Sequence, residues 1–181
     1  FDIIMDQVEW ADAVLIGPGL GSSREPIDLL SMLDKKIDKP LVIDADGLRP
    51  FYKNRDVLKQ LQCVLTPHHG ELSRLLSISS GELQRDLVKH IEGFVSEYPS
   101  VLLAKQPSSI IAHNIFGFIN SSGNPGLATA GTGDVLSGMV TAFIAQGYNL
   151  VESSYISTYI HGYVADKMSK RISERGLIAS D

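Results

Sequence analysis

Gly123-Asn124-Pro125-Gly126-Leu127-Ala128-Thr129-Ala130-Gly131-Thr132-Gly133-Asp134 is the stretch on which the fold turns. Its small residues let backbone N–H groups come close to a phosphate, and it runs straight into a helical pattern. The positive end of that helix favours an anion at the same spot. Gly131 and Gly133 reach conformations closed to other residues, so consecutive amides can converge on one oxyanion. Asp134 falls in the first turn, beside the anion position rather than inside it. A carboxylate there can accept a hydroxyl proton while the amides hold a transferring phosphoryl group. A lone Gly-x-Gly-Asp is equally a flexible loop with an Asp helix cap, and this segment alone leaves both readings open. Two other phosphate motifs are excluded. No Gly-Lys-Ser/Thr follows, as a Walker A loop needs, and no Gly-x-Gly-x-x-Gly opens a helix after a strand.

Downstream, Val135, Leu136, Met139, Val140, Phe143 and Ile144 share one helix face, and Gly147 sits where a C-terminal cap belongs. The last helical pattern repeats that spacing with Tyr155, Ile156, Tyr159, Ile160, Tyr163 and Val164. This tyrosine stripe and Trp10 read as core or interface. Upstream, short apolar runs predict strands over 13–16, 40–44, 63–65 and 101–104. Ser22 with Glu25 starts a helix to about residue 37, and Ser79 with Glu82 another that ends before Pro99. An antiparallel hairpin is expected from 110–112 and 115–119, joined at His113-Asn114. Strands alternating with helices predict an α/β fold, a mainly parallel sheet with helices on both faces. Ligands of such sheets sit beyond the carboxyl ends of the strands. The loops there are Gly17-Pro18-Gly19-Leu20-Gly21, Asp44-Ala45-Asp46-Gly47 and Thr66-Pro67-His68-His69-Gly70-Glu71, which hold most of the glycines, histidines and acids.

The formal net charge is −5 and no long basic run is present, which argues against a nucleic-acid partner. Lys167, Lys170, Arg171 and Arg175 lie near Asp166 and Glu174 and read as a solvated helix face. A single cysteine, Cys63, excludes an intrachain disulfide and fits a reducing, cytoplasmic setting. No apolar run approaches membrane-span length, so no membrane partner is expected. The chain opens at Phe1 and runs at once into ordered structure. One domain over 1–181, N-terminally incomplete, is the expectation.

The glycine-rich loop resembles the anion-hole motif of the ribokinase-like superfamily. Extended through Val135-Leu136-Ser137-Gly138, it is more specifically similar to the NAD(P)H-hydrate dehydratases. Four other stretches agree in order and spacing: Gly17 to Gly21, Asp44-Ala45-Asp46-Gly47-Leu48, Thr66 to Glu71, and the ending Arg175-Gly176-Leu177-Ile178-Ala179-Ser180-Asp181. The resemblance implies a lyase of metabolite repair that phosphorylates the C6 hydroxyl of hydrated NADH or NADPH and lets phosphate depart. It implies ADP as donor, with ATP possible, and Mg²⁺. Asp134 would be the base, with Gly131, Thr132 and Gly133 as the anion hole. Gly19 and His68 would join Asp134 at the substrate. Glu71, with Asp44 or Asp46, would serve the metal. Lys105, Gln106, Pro107, Ser108 and Ser109, with Asn124, Gly126, Thr129 and the anion hole, would contact the nucleotide. Gln106-Pro107 replaces the glycine usual after that lysine, which puts contacts along 105–109 in question. Cys63, His90, His113 and His161 are left to structure or surface. A homo-oligomer is expected. The alternatives are a ribokinase-like vitamin or sugar kinase, and an inactive nucleotide-binding fragment.

Overall fold

Alternation along the strands builds two cores, one on each face of the sheet. The computed structural model describes residues 2–21 and 37–181. Its strands are β1 (Val14–Ile16), β2 (Leu41–Ile43), β3 (Cys63–Leu65), β4 (Val101–Ala104), β5 (Ile110–His113) and β6 (Phe116–Ile119), side by side in that order. β1 to β4 are parallel, with Val14 opposite Leu41 and Val42 opposite Val64. β5 and β6 complete the sheet antiparallel. The sheet is therefore mainly parallel, as the alternation of elements predicts.

Leu41, Ile43, Cys63, Leu65, Leu102 and Ala104 point to one face. There they meet Leu72 and Leu75 of α2 (His69–Leu76), Leu83 of α3 (Ser80–Arg85), and Ile91, Phe94 and Val95 of α4 (Leu87–Glu97). The helix preceding β1, Asp2–Trp10, is α1. Val42, Val64, Val101, Leu103 and Ile111 point to the other face and meet Leu136, Val140 and Ile144 of α5 (Thr132–Ala145). α6 (Leu150–Ile172) lies beside α5. Short 3₁₀ turns span Ala45–Tyr52, Asp56–Gln60, Pro125–Ala128 and Glu174–Gly176.

Local signals placed most ends. Ser79 caps α3 through the Glu82 amide, and Gly147, at φ +93°, follows α5 and donates to the Ile144 carbonyl. The helix expected over 79–98 is two helices, because Asp86 leaves helical geometry at φ −133°, ψ 41°. The hairpin turn falls one residue later than expected, at Asn114-Ile115. Asn114 takes φ +53°, a conformation Asn tolerates and most residues avoid. The helix expected from Ser22 and Glu25 lies outside the described residues.

Of the two readings given to the tyrosine stripe and Trp10, core or interface, the core reading is excluded. Trp10 is 84% exposed, and Tyr155, Tyr159 and Tyr163 lie on the surface. α6 buries the opposite face instead: Ser153, Ser154, Ser157, Thr158, Gly162 and Ala165. Small side chains let that helix approach closely, and the Ser154 and Thr158 hydroxyls donate to carbonyls one turn back. At Gly162 the approach is closest: an added Cβ would lie 2.6–2.7 Å from the Ser122 carbonyl group.

Candidate active site

Loops from four strands and the start of α5 meet at the carboxyl edge of the sheet. The first two touch main chain to main chain. Gly17 has φ +132°, and a Cβ there would overlap the Asp44 carbonyl; a Cβ on Gly47 would lie 2.7 Å from the Ile16 carbonyl. Gly19 has φ +73° with nothing within 4 Å of its Cβ position among the described residues.

Asp44 is 1% exposed. Its Oδ1 accepts from the Ala45 amide at 2.8 Å and from Lys105 Nζ at 2.7 Å. The Lys105 amide donates to the Pro67 carbonyl, which carries the parallel ladder past β3 and β4 and sets His68 beside Lys105. His68 caps α2: Nδ1 accepts from the Gly70 amide at 3.0 Å, while the Glu71 carboxylate accepts from the His68 amide at 2.9 Å. With Nδ1 accepting, the ring proton resides on Nε2, which faces Glu71 Oε1 at 3.3 Å. The cap leaves the imidazole 56% exposed, so the ring is oriented yet available. Glu71 and Asp46 line one cavity of about 440 Å³ with Arg49, Tyr52 and Arg74. Burial raises the Tyr52 hydroxyl pKa, helped by the Glu71 charge and opposed by Arg74.

At the start of α5, Gly131 takes φ +89° and no side chain caps the helix. The first intrahelical bond runs from the Val135 amide to the Gly131 carbonyl, so the Gly133 and Asp134 amides have no acceptor among the described residues. The Asp134 side chain is exposed and has no hydrogen-bond or ion-pair partner there either. Uncapped amides beside a free carboxylate are what proton abstraction next to a bound phosphoryl group requires.

The loop before α5 is fixed from below. Asp166 of α6 accepts from the Gly123 amide at 2.8 Å and from the Asn124 side-chain amide at 3.0 Å. Those two donors hold its carboxyl below the usual range. Asn124 accepts in turn from the Gly126 amide, and Gly126 is buried against the Glu174 carbonyl. The Cβ of Ala179 lies 3.1 Å from the Cβ position of Gly131.

A family model described as NAD(P)H-hydrate dehydratase matches residues 2–180. The chain belongs to the NAD(P)H-hydrate dehydratase family. It is 33% identical over 183 residues to the bifunctional NAD(P)H-hydrate repair enzyme Nnr of Moorella thermoacetica, covering 99% of this chain and 34% of that protein. It is 30% identical to the ADP-dependent (S)-NAD(P)H-hydrate dehydratase of Neisseria meningitidis, covering 94% of this chain and 60% of the relative. The Bacillus subtilis ADP/ATP-dependent NAD(P)H-hydrate dehydratase, co-crystallised with ATP/Mg²⁺, superposes with a TM-score of 0.80 at 26% identity, over 93% of this chain and 60% of that one. The chain thus spans about a third of the bifunctional relative's length and about three fifths of the other two.

In this member of the dehydratase family, Gly19, Asp44, Asp46, His68, Glu71, Lys105, Gly131, Gly133 and Asp134 all lie along the carboxyl edge. Other residues of the expected site are occupied differently. The Thr132 hydroxyl donates into its own loop, to Leu127 at 2.6 Å, and Thr129 donates to the Gly126 carbonyl. With the Gly126 amide taken by Asn124, these groups shape the loop from within. Gln106 reaches His69 at 3.3 Å and Ser109 faces the Gln106 carbonyl at 3.5 Å, while Pro107 and Ser108 are exposed. Asp166, Gly162 and His69 are the supporting residues that sequence reasoning missed. No spacing rule connects Asp166 to a loop 42 residues earlier. Cys63 is inert: burial pushes its thiol pKa up to about 12, and it donates to Ser100.

Proposed function

We propose that this chain performs the nucleotide-dependent dehydration of hydrated NADH and NADPH, with ADP as phosphoryl donor. The observation that carries the reading is the uncapped start of α5 with the free Asp134 carboxylate beside it. Asp134 takes the proton of the C6 hydroxyl as that oxygen attacks the terminal phosphorus of ADP, releasing AMP. The C–O bond then breaks, phosphate leaves with the bonding pair, and loss of the C5 proton restores the ring double bond. Hydroxide is a poor leaving group and phosphate a good one, which is the reason for the detour. His68, oriented by Gly70 and Glu71, would contact the hydrated ring, and Gly19 would lie beside the substrate. Lys105 to Ser109 and the α5 loop would receive the nucleotide. The single cysteine fits a reducing compartment, and the cytoplasm is the proposed setting of the reaction.

Magnesium fits this site only as a hydrated ion. Among the described residues no three His, Cys, Asp or Glu side chains converge to form a cage. Glu71 and Asp46 nevertheless share one open cavity, and Mg²⁺ is commonly held by one or two carboxylates, phosphate oxygens and water. When bound, the ion would neutralise phosphate charge. The test follows NADH absorbance as it is regenerated from the hydrate, with ADP and ATP compared and Mg²⁺ titrated. ADP should turn over faster than ATP, and Glu71→Gln should raise the Mg²⁺ requirement about tenfold with little change in KM for the hydrate. No NADH from either donor would sink the functional reading; an unchanged Mg²⁺ requirement in Glu71→Gln would remove Glu71 from the metal's surroundings.

We also propose that copies of the chain associate through β6 and the outer stripe of α6. Phe116, Phe118, Ile119, Tyr155 and Tyr159 form an exposed apolar face, with the Phe118 and Tyr155 rings 5.2 Å apart. Such contiguous patches mark interaction surfaces. In sedimentation, Tyr159→Asp should lower the assembly's mass; equal masses for wild type and variant would exclude this face.

A further inference from the structure

The register of the parallel ladder brings position 69 opposite position 106. It pairs Val64 with Val101 and, past the strand ends, His68 with Lys105. One residue further on, side chains take over from the main chain. His69 Nδ1 lies 3.3 Å from Gln106 Oε1, and Nε2 lies 2.8 Å from the Ser80 hydroxyl and 3.2 Å from the Ser80 carbonyl. Ser80 and the Gln106 amide can each donate or accept, so the bridge holds in either imidazole tautomer. The ring thus spans from the start of α3 to the residue after Lys105. Gln106 Nε2 is enclosed with no partner among the described residues, so this side chain is turned into the protein and not toward a ligand. Residues 106–108 make no other hydrogen bond to anything beyond 105–109 among the described residues. Pro107 fixes its own φ and restricts Gln106 to extended backbone, and Pro107 and Ser108 are exposed at the crest. A stiff loop is therefore moored at one side chain, and His69 is the mooring.

We propose that His69 is a positioning residue for the nucleotide: through Gln106 it holds residues 106–108 in the form that receives ADP. The inference rests on the reading above that this loop receives the nucleotide. A loop fixed in advance loses little freedom when its ligand arrives, so the mooring is felt as ADP affinity. His69 and His68 are neighbours at the start of α2, yet they face different substrates. His68 caps the helix and is assigned to the hydrate, whereas His69 reaches across the ladder to the nucleotide loop. Damage to the helix cap would therefore be read in the KM for the hydrate, and loss of the mooring in the binding of ADP.

Two amide substitutions separate the two ends of the ring. The side-chain amide of Asn overlays Nδ1 and keeps the Gln106 end; that of Gln extends to the place of Nε2 and keeps the Ser80 end. Calorimetric binding of ADP is read first, since it requires no turnover. His69→Gln should weaken ADP about five- to tenfold and His69→Asn less than about twofold. Gln106→Ala should match His69→Gln, and the double variant Gln106→Ala/His69→Gln should be no worse than either alone. In the NADH assay the KM for ADP should follow the same order, with kcat and the hydrate KM of the His69 variants within about twofold of wild type. Equal ADP affinity in wild type and His69→Gln, equal losses in the Asn and Gln variants, or a loss carried in the hydrate KM would each overturn the proposal. Should His69→Gln not fold, Gln106→Ala decides, and wild-type ADP affinity in it would refute the mooring. A wild type that binds ADP but turns over no hydrate would remove the dehydration reading alone, and the calorimetry would still decide His69. A wild type that binds no ADP would overturn both.

Discussion

Asp134→Asn should give a folded protein that binds ADP normally and turns over the hydrate on the order of 10²–10⁴ times more slowly. The two effects of the substitution differ enough in size to be separated. On the structural side, the Asp134 side chain makes no hydrogen bond or ion pair among the described residues, and α5 has no side-chain cap to lose. What disappears is the attraction between a carboxylate and the helix N-terminus, about 0.3–1 kcal/mol. On the chemical side, an amide cannot take the hydroxyl proton, and a 10³-fold loss corresponds to about 4 kcal/mol of barrier. The melting temperature therefore barely moves while the rate collapses. Melting curves, ADP calorimetry and the NADH assay check the three parts. Turnover within threefold of wild type would reduce Asp134 to a bystander at the helix start.

The largest effect on stability is expected at Gly17. Gly17→Ala places a Cβ on the Asp44 carbonyl, at a φ of +132° that side-chain-bearing residues rarely adopt. The strained backbone costs about 1–3 kcal/mol and the overlap a similar amount, so a loss of about 3 kcal/mol or more is expected. For a domain of this size that is a drop of roughly 6–12 °C in Tm. Gly19→Ala is the control. It shares a positive φ of +73° but meets nothing within 4 Å among the described residues, so only the conformational cost, about 1–2 kcal/mol, applies. Equal losses at the two glycines in thermal melts would rule out the main-chain contact as the cause.

The parts of the fold written in local sequence were legible. The four parallel strands follow from apolar runs, α3 from Ser79, the end of α5 from Gly147, and the start of α5 from the glycine-rich loop. The tyrosine stripe could not be assigned to core or to interface, because apolar periodicity identifies a face without saying what it faces. α6 packs through Ser153, Ser154, Ser157 and Gly162, and small residues that bury by close approach leave no apolar signal. Within the site, Asp134, His68 and Lys105 were found as single residues with motif neighbours. Their mutual arrangement was hidden. Nothing local in the sequence shows that Asp44 would engage Lys105, that His69 would reach Gln106, or that Asp166 would hold Gly123. Those contacts exist only once the sheet brings distant loops to one edge.

Residues 174–179 add an order in time. Gly126 lies under the Glu174 carbonyl, Gly131 against Ala179, and Leu177 is buried. The anion loop is thus closed from behind by the segment that leaves the ribosome after every other part of the site. Strands and helices can assemble as they emerge, N-terminal parts first. The contact that Ala179 makes behind Gly131 forms only once residue 179 has been synthesised and docked. A nascent chain halted short of that point would carry the loop of the proposed site without its backing from Glu174, Leu177 and Ala179.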